Sequence, residues 1–417
     1  MTTFRSLSLI YLLSISCAQA AMHNEILKSN ISSVQCHIEG DPLSFPALRL
    51  GSSASIFTSF DLIGSDIPML QYRVLHCNAD WEVSSLLAIE YIDGFQENTI
   101  RSASANLTVQ DYLHYQFVLP NSYTKFRISG NYIIQIQDEN TGDLLMQRRI
   151  VINEEAAKFT ATAKRATIIE YCDEFQEIDA SVSTEGLNIL DPFRDIKLVI
   201  MQNGDWNIAS TELKPRFVNQ NTLDYDYEEG NLFPGGNEFR RFMMRNYGHS
   251  VPEIARIRLK PERNEIDLSP VSDRQFLMYS NTKDLNGKFY IFREDADDSN
   301  LDADYALVQF VLKHDKPVLD GHVCIYGQLT DWRCDTLTPL EYDYDKNLYT
   351  GTLYLKQGYY DYKFAVQRPY ESAPDLDYFE GTHYRTENEY QILVYFRDRI
   401  AGYDRLVGFR TIKYIDR

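Results

Sequence analysis

Residues 196–242 read IKLVIMQNGDWNIASTELKPRFVNQNTLDYDYEEGNLFPGGNEFRRF. Ile196 to Met201 reads as an apolar strand. Asn203-Gly204 follows, a pair that tolerates positive φ and so can reverse the chain. Trp206 comes next. An acidic, tyrosine-bearing run from Asp224 to Glu229 then leads to a second turn, Phe233-Pro234-Gly235-Gly236-Asn237. Proline fixes φ there and the glycines supply left-handed conformations. The stretch offers no nucleophile, metal cluster or phosphate loop. It is a β scaffold with an aromatic, acidic surface, and the question it poses is binding protein or enzyme.

The same rhythm runs along the chain on both sides. Ser55–Leu62, Leu70–Cys77, His114–Leu119 and Lys125–Ile136 alternate polar and apolar residues, as half-buried strands do, with Gly130 as a turn in the last. Lys158–Ala163, Glu177–Val182, Glu253–Leu259, Gly287–Phe292 and Ala306–Leu312 continue it. Short strands separated by turns at about ten-residue spacing make sandwiches. Aromatics at 13%, with 29 tyrosines, and many β-branched residues favour strands as well. The expected architecture is all-β, with three consecutive immunoglobulin-like or early-set β-sandwich domains after a cleaved signal peptide. The expected boundaries are a signal at 1–20 and domains at 21–155, 156–300 and 301–417.

The signal is MTTFRSLSLIYLLSISCAQA. It has a basic residue at Arg5, a short apolar core and a small-x-small site at Ala18-Gln19-Ala20. Lipidation at Cys17 is a second expectation for this segment. No later stretch approaches 18 uninterrupted apolar residues, so no membrane-spanning helix is expected. The net charge of −19 repels phosphate backbones and argues against nucleic-acid binding. Without Cys17, five of the six cysteines remain, an odd number that leaves at least one thiol free. Cys324 and Cys334 face each other across a short loop and are the most plausible pair. No Cys/His spacing suggests zinc. His76 beside Cys77 reads as one exposed and one buried strand residue.

Enzymatic signatures are missing: no G-x-S-x-G elbow, no H-E-x-x-H, no Walker loop. Carboxylate pairs are plentiful, but nothing fixes the gap a glycosidase needs. The acidic run Asp295–Asn300 lacks the glycine and terminal Glu of a calcium loop and reads as a solvated loop. Asn30-Ile31-Ser32 and Asn106-Leu107-Thr108 match the glycosylation acceptor pattern, which is frequent by chance. No catalytic, cofactor or metal site is expected. Trp81, Trp206 and Trp332 each follow an aspartate in a turn. Each reads either as a core-closing Trp or as an aromatic platform for sugar or peptide.

Several segments together resemble one family. FDLIGSDIPMLQYRVLHCNADW, YIDGFQENTIRS, ISGNYIIQIQD, VIMQNGDWNIA, DYDYEEGNLFPGGNEFRRF and DLNGKFYIFRED look like the plug protein of the type 9 secretion system of Bacteroidetes-like bacteria. The match runs in order over roughly residues 25 to 400. The resemblance implies a periplasmic all-β protein, peripheral to the outer membrane. Such a protein closes the periplasmic mouth of the outer-membrane translocon barrel, with no chemistry and no membrane span of its own. The candidate partner contacts are Phe233, Pro234, Gly235, Gly236, Asn237 and Phe239, in an exposed turn pressed against the barrel, with Tyr225 and Tyr227 in the acidic, tyrosine-rich run before it. The alternative is a secreted polysaccharide- or cell-wall-binding protein. It rests on CIYGQLTDW and GYYDYKF, which resemble glycogen- and starch-binding early-set modules. Trp332 would then stack on sugar, with Tyr370 replacing the module's second Trp. A membrane β-barrel fits poorly, given charges on both strand faces and no terminal aromatic.

Overall fold

A computed structural model describes residues 21–64, 67–226, 230–248, 251–334 and 339–416. The signal segment, with Cys17, lies outside them. About half of the chain is strand, and each described α-helix is four residues long. The all-β expectation holds, and the strands form three sandwiches.

In the first sandwich, one sheet runs in the order Glu25–Ile26, Leu144–Asn153, Gly130–Asp138, Leu70–Cys77, Glu97–Ile100. The other is Ile31–Ile38, Ile56–Ile63, Tyr112–Leu119, Ser102–Ser104. Their inner faces meet in a core where Phe60 stacks on Tyr115 at 5.1 Å. Gly130 opens its strand and is not a turn between two strands.

The other two sandwiches depart from the expected boundaries. Ile196–Gln202 pairs antiparallel with Asn388–Asp398, from Ile196↔Phe396 to Gln202↔Tyr390. Tyr403–Tyr414 extends that sheet. The last two strands of the chain therefore belong to the middle sandwich, not to the third domain placed at 301–417. Arg240–Met243 pairs with Gly358–Gln367, so the third sandwich already begins near residue 239, not at 301. The middle sandwich is built from residues of about 157–235 and 383–416. The third sandwich is inserted between these two pieces. Periodicity reports which residues face a core, not which strand lies alongside, so an insertion leaves no mark in the pattern.

The opening strand explains why the sandwiches adhere. Leu198 and Ile200 face the core of the middle sandwich, whereas Val199 and Met201 face the other way. There they meet Ile133 and Val151 of the first sandwich, with Leu393, Tyr395 and Leu406 alongside. Two sheets that each cover their own sandwich are thus also packed on each other. Strands buried on both faces need apolar residues at successive positions, which is the pattern of Leu198 to Met201. His76 and Cys77 follow the same rule. Both are fully buried, against the expected alternation, because each side of their strand meets a core.

The first and third sandwiches meet through polar groups. Lys356 Nζ lies 2.6 Å from Asp61 Oδ2, with both side chains 1% exposed. Asp61 also accepts from Tyr305 Oη at 2.7 Å and contacts His114 Nδ1 at 2.7 Å. The Lys356 ammonium sits 4.0 Å from the Tyr112 ring centroid. Burial lowers the Lys356 pKa, and the Asp61 charge opposes that shift. Asp304 accepts from the backbone N–H groups of Val109 and Gln110. Lys288 Nζ donates to Leu43 O at 2.6 Å and to Glu389 at 2.9 Å, so one ammonium ties all three sandwiches.

Removing one member of a buried ion pair strands the other charge. Lys356→Met should destabilise the protein by about 3–5 kcal/mol in chemical denaturation. Asp61→Asn added to it should recover part of that loss.

Candidate functional site

The expected turn at Phe233–Phe239 is not an exposed knob. Phe233, Asn237 and Phe239 are each at most 5% exposed, Gly235 and Gly236 are buried, and only Pro234 reaches solvent. Tyr225 is 1% exposed within the core of the middle sandwich. Tyr227 lies outside the described residues. The segment is the outgoing link from the middle to the third sandwich. Leu232–Pro234 pairs with Phe175–Glu177, and the chain then leaves the sheet.

The return link, residues 380–388, runs beside it, and the two are stitched together. Gly235 N donates to Glu174 O at 2.8 Å, and Gly236 N to Thr382 Oγ1 at 2.9 Å. Asn237 Nδ2 donates to Glu380 O at 2.7 Å. Asn388 Nδ2 donates to Gly235 O at 2.9 Å. A Cβ on Gly235 would lie 2.1 Å from His383 O, so a glycine is required by the close approach of two backbones. The turn's residues hold the protein's own parts together. Tyr225, Phe233, Gly235, Gly236, Asn237 and Phe239 are buried in these internal contacts, and Pro234 alone of the described candidates is exposed.

Carboxylates clamp this stem. Glu380 is fully buried and receives Arg240 Nε at 2.9 Å, Arg274 Nε at 2.6 Å and Phe364 N at 3.0 Å. Burial opposes its ionisation, but the two guanidinium groups outweigh that and hold its pKa below the ordinary range. Asp361 accepts from the N–H groups of Leu285 and Gly287 and has no guanidinium of this kind. Burial, with the charge of Asp284, pushes its pKa up to about 8. Between these clamps runs a loop that sequence reading passed over. Its tip, Phe276-Leu277-Met278, is solvent-exposed. Three apolar residues are too short a run to stand out by periodicity.

The three tryptophans lie at boundaries between sandwiches. Trp81 and Trp206 meet edge to face at 5.0 Å, and the Arg149 guanidinium covers both, at 4.4 and 5.0 Å. Trp332 packs on Tyr326 and Phe239, and its carbonyl accepts from Asn207 Nδ2 at 2.7 Å. Asp205, just before Trp206, accepts from Tyr326 Oη at 2.5 Å, which joins the middle and third sandwiches. Tyr370 is fully exposed beyond the other end of the strand pair His322–Tyr326 and Gly358–Gln367. The structure does not bring Trp332 and Tyr370 together, so they form no shared sugar platform. Cys324 and Cys334 do pair, and Cys36, Cys77 and Cys172 are free.

Three groupings with chemical potential are tied into the structure. Ser84 Oγ lies 2.9 Å from His76 Nδ1, but both residues are buried, and burial lowers the His76 pKa to about 4. Glu177, Asp179 and Asp226 approach one another, yet Lys164 bridges the first two at 3.3 and 2.5 Å. In the acidic loop, Asp298 caps the short helix Ser299–Asp302.

A sequence model of the type 9 secretion system plug protein 1st domain matches residues 31–154, the first sandwich. The crystal structure of a hypothetical protein from Parabacteroides merdae ATCC 43184 superposes with a TM-score of 0.91 at 31% identity. The match covers 95% of this chain and 100% of that one. The chain belongs to the type 9 secretion system plug family. No functionally curated protein matches it. Membership links this plug-family protein to type 9 secretion and to the cell envelope. Among its described residues no helix is long and apolar enough to cross a membrane.

Two outcomes follow from the stem. Gly235→Ala should destabilise the protein by about 1–3 kcal/mol, read as a lower melting temperature, because neither facing backbone can yield freely. Asp361 has a folded pKa of about 8, above its unfolded value. Its stabilising contribution is therefore complete at low pH and lost as pH rises toward 8. The melting temperature of Asp361→Asn relative to wild type should climb by several degrees from about pH 4 to 8 and level off above.

Proposed function

We propose that the protein is the periplasmic plug of the type 9 translocon. It binds the periplasmic end of the outer-membrane barrel and closes it without catalysing a reaction. The observation that carries this reading, beside family membership, is the continuity of the three sandwiches. A body that blocks a pore must resist deformation. Here the first and middle sandwiches share a core, the middle and third share a double link, and the first and third share buried ion pairs. Domains joined by flexible linkers and small interfaces move by default; here one interface is apolar and another is held by a buried ion pair and hydrogen bonds.

The plug must also leave when the channel is in use. A modest, partly polar contact with the barrel fits that requirement better than a large apolar one. The chain carries a net charge of −19, so its association with the barrel should weaken as salt rises. The polysaccharide reading keeps no paired aromatic platform to rest on.

Tagged protein recovered from solubilised outer membrane should bring the translocon barrel with it. Deleting its gene should raise outer-membrane permeability to large antibiotics. Recovery without the barrel, or unchanged permeability in the deletion strain, would sink the plug reading.

A further inference from the structure

Phe276, Leu277 and Met278 are 90%, 63% and 93% exposed. Scattered apolar residues on a surface are ordinary, but three consecutive large ones at a loop tip are not. The loop that carries them is held at its base. Arg274 N donates to Phe379 O at 2.8 Å, and Leu277 N to Arg274 O at 3.0 Å, which closes a turn beneath the tip. Arg274 Nε reaches the buried Glu380 at 2.6 Å. Beyond the tip, Tyr279 Oη donates to Glu238 at 2.5 Å. Gln275 packs directly on the return link, where a Cβ on Gly381 would stand 2.7 Å from Gln275 O. The tip is thus fixed to both links of the stem, in a shape that needs little ordering on binding.

We propose that Phe276-Leu277-Met278 is the docking knob of the plug and seats in a preformed apolar pocket in the protein wall of the translocon barrel. This rests on the plug reading above. A protein pocket fits better than a bilayer on grounds of charge. An exposed apolar tip that inserts among anionic lipids is normally ringed by free Lys and Arg. Here Arg274, at the base of the tip, is already paired with Glu380, and the chain as a whole is acidic. An aromatic residue flanked by Leu and an adaptable Met is the composition of a pocket-filling hot spot.

The test is the triple variant Phe276→Ser, Leu277→Ser, Met278→Ser, expressed with the same tag in the native host beside wild type. The variant should keep the wild-type melting temperature, since the three side chains bury little. It should recover at least about tenfold less translocon barrel from solubilised outer membrane. Equal recovery of the barrel by both proteins would overturn the proposal while leaving the plug reading intact. No barrel with wild type would remove the plug reading itself, and the knob with it. Should the triple variant melt lower, Phe276→Ser alone decides by the same readout. Purified wild type is also mixed with vesicles of phosphatidylethanolamine and phosphatidylglycerol. Vesicle binding that the variant loses, with barrel recovery unchanged, would assign the tip to the lipid surface instead.

Discussion

The structure depends on the burial of two sheets from both sides. The sheet around Ile133 and Val151 and the sheet around Val199 and Met201 each close one sandwich with one face and each other with the second. A fully buried aliphatic side chain contributes about 1.5–3 kcal/mol. The shared core therefore holds the first sandwich to the middle one by the same means that hold each together. This fixes the platform from which the third sandwich projects.

The third sandwich is attached on different terms. Its contact with the first is a set of buried charges and hydroxyls around Asp61 and Lys356, and its contact with the middle is a hydrogen-bonded double link. Buried ion pairs add little net stability over apolar packing, but they tolerate no displacement, because a small shift leaves a charge unpaired in a dry environment. An apolar face allows sliding; Lys356 between Asp61 and the Tyr112 ring does not. Lys288 adds a point where all three sandwiches must be in register at once. The arrangement gives a body with one relative orientation of its parts, which is what a closure element requires.

Tryptophan placement follows the same logic. Each Asp-Trp turn projects a large aromatic ring from the end of a strand region, and each ring lands where two sandwiches meet. Arg149 covers two of them, so a cation–π contact lies at the mouth of the shared core. The rings close gaps between curved sheets instead of presenting a surface to a ligand.

Strand positions were legible from the sequence because side-chain alternation has a period of two wherever one face is buried. Leu70–Cys77 and Lys158–Arg165 show this, and the Cys324–Cys334 pairing followed from a short loop. The apolar run at Leu198–Met201 read only as an apolar strand, and its burial on both faces emerged from the structure. What covered the second face was beyond its reach. Partner choice between strands is set by packing over two hundred residues of separation, as in Ile196↔Phe396. Whether Phe233–Phe239 was a displayed turn or a buried link depended on the return of residues 380–388 beside it. Turn chemistry is the same in both cases, since glycine serves a positive φ and a close backbone approach equally. The exposure of Phe276-Leu277-Met278 was decided the same way: an apolar tripeptide is core or surface according to what folds over it, and here nothing among the described residues does.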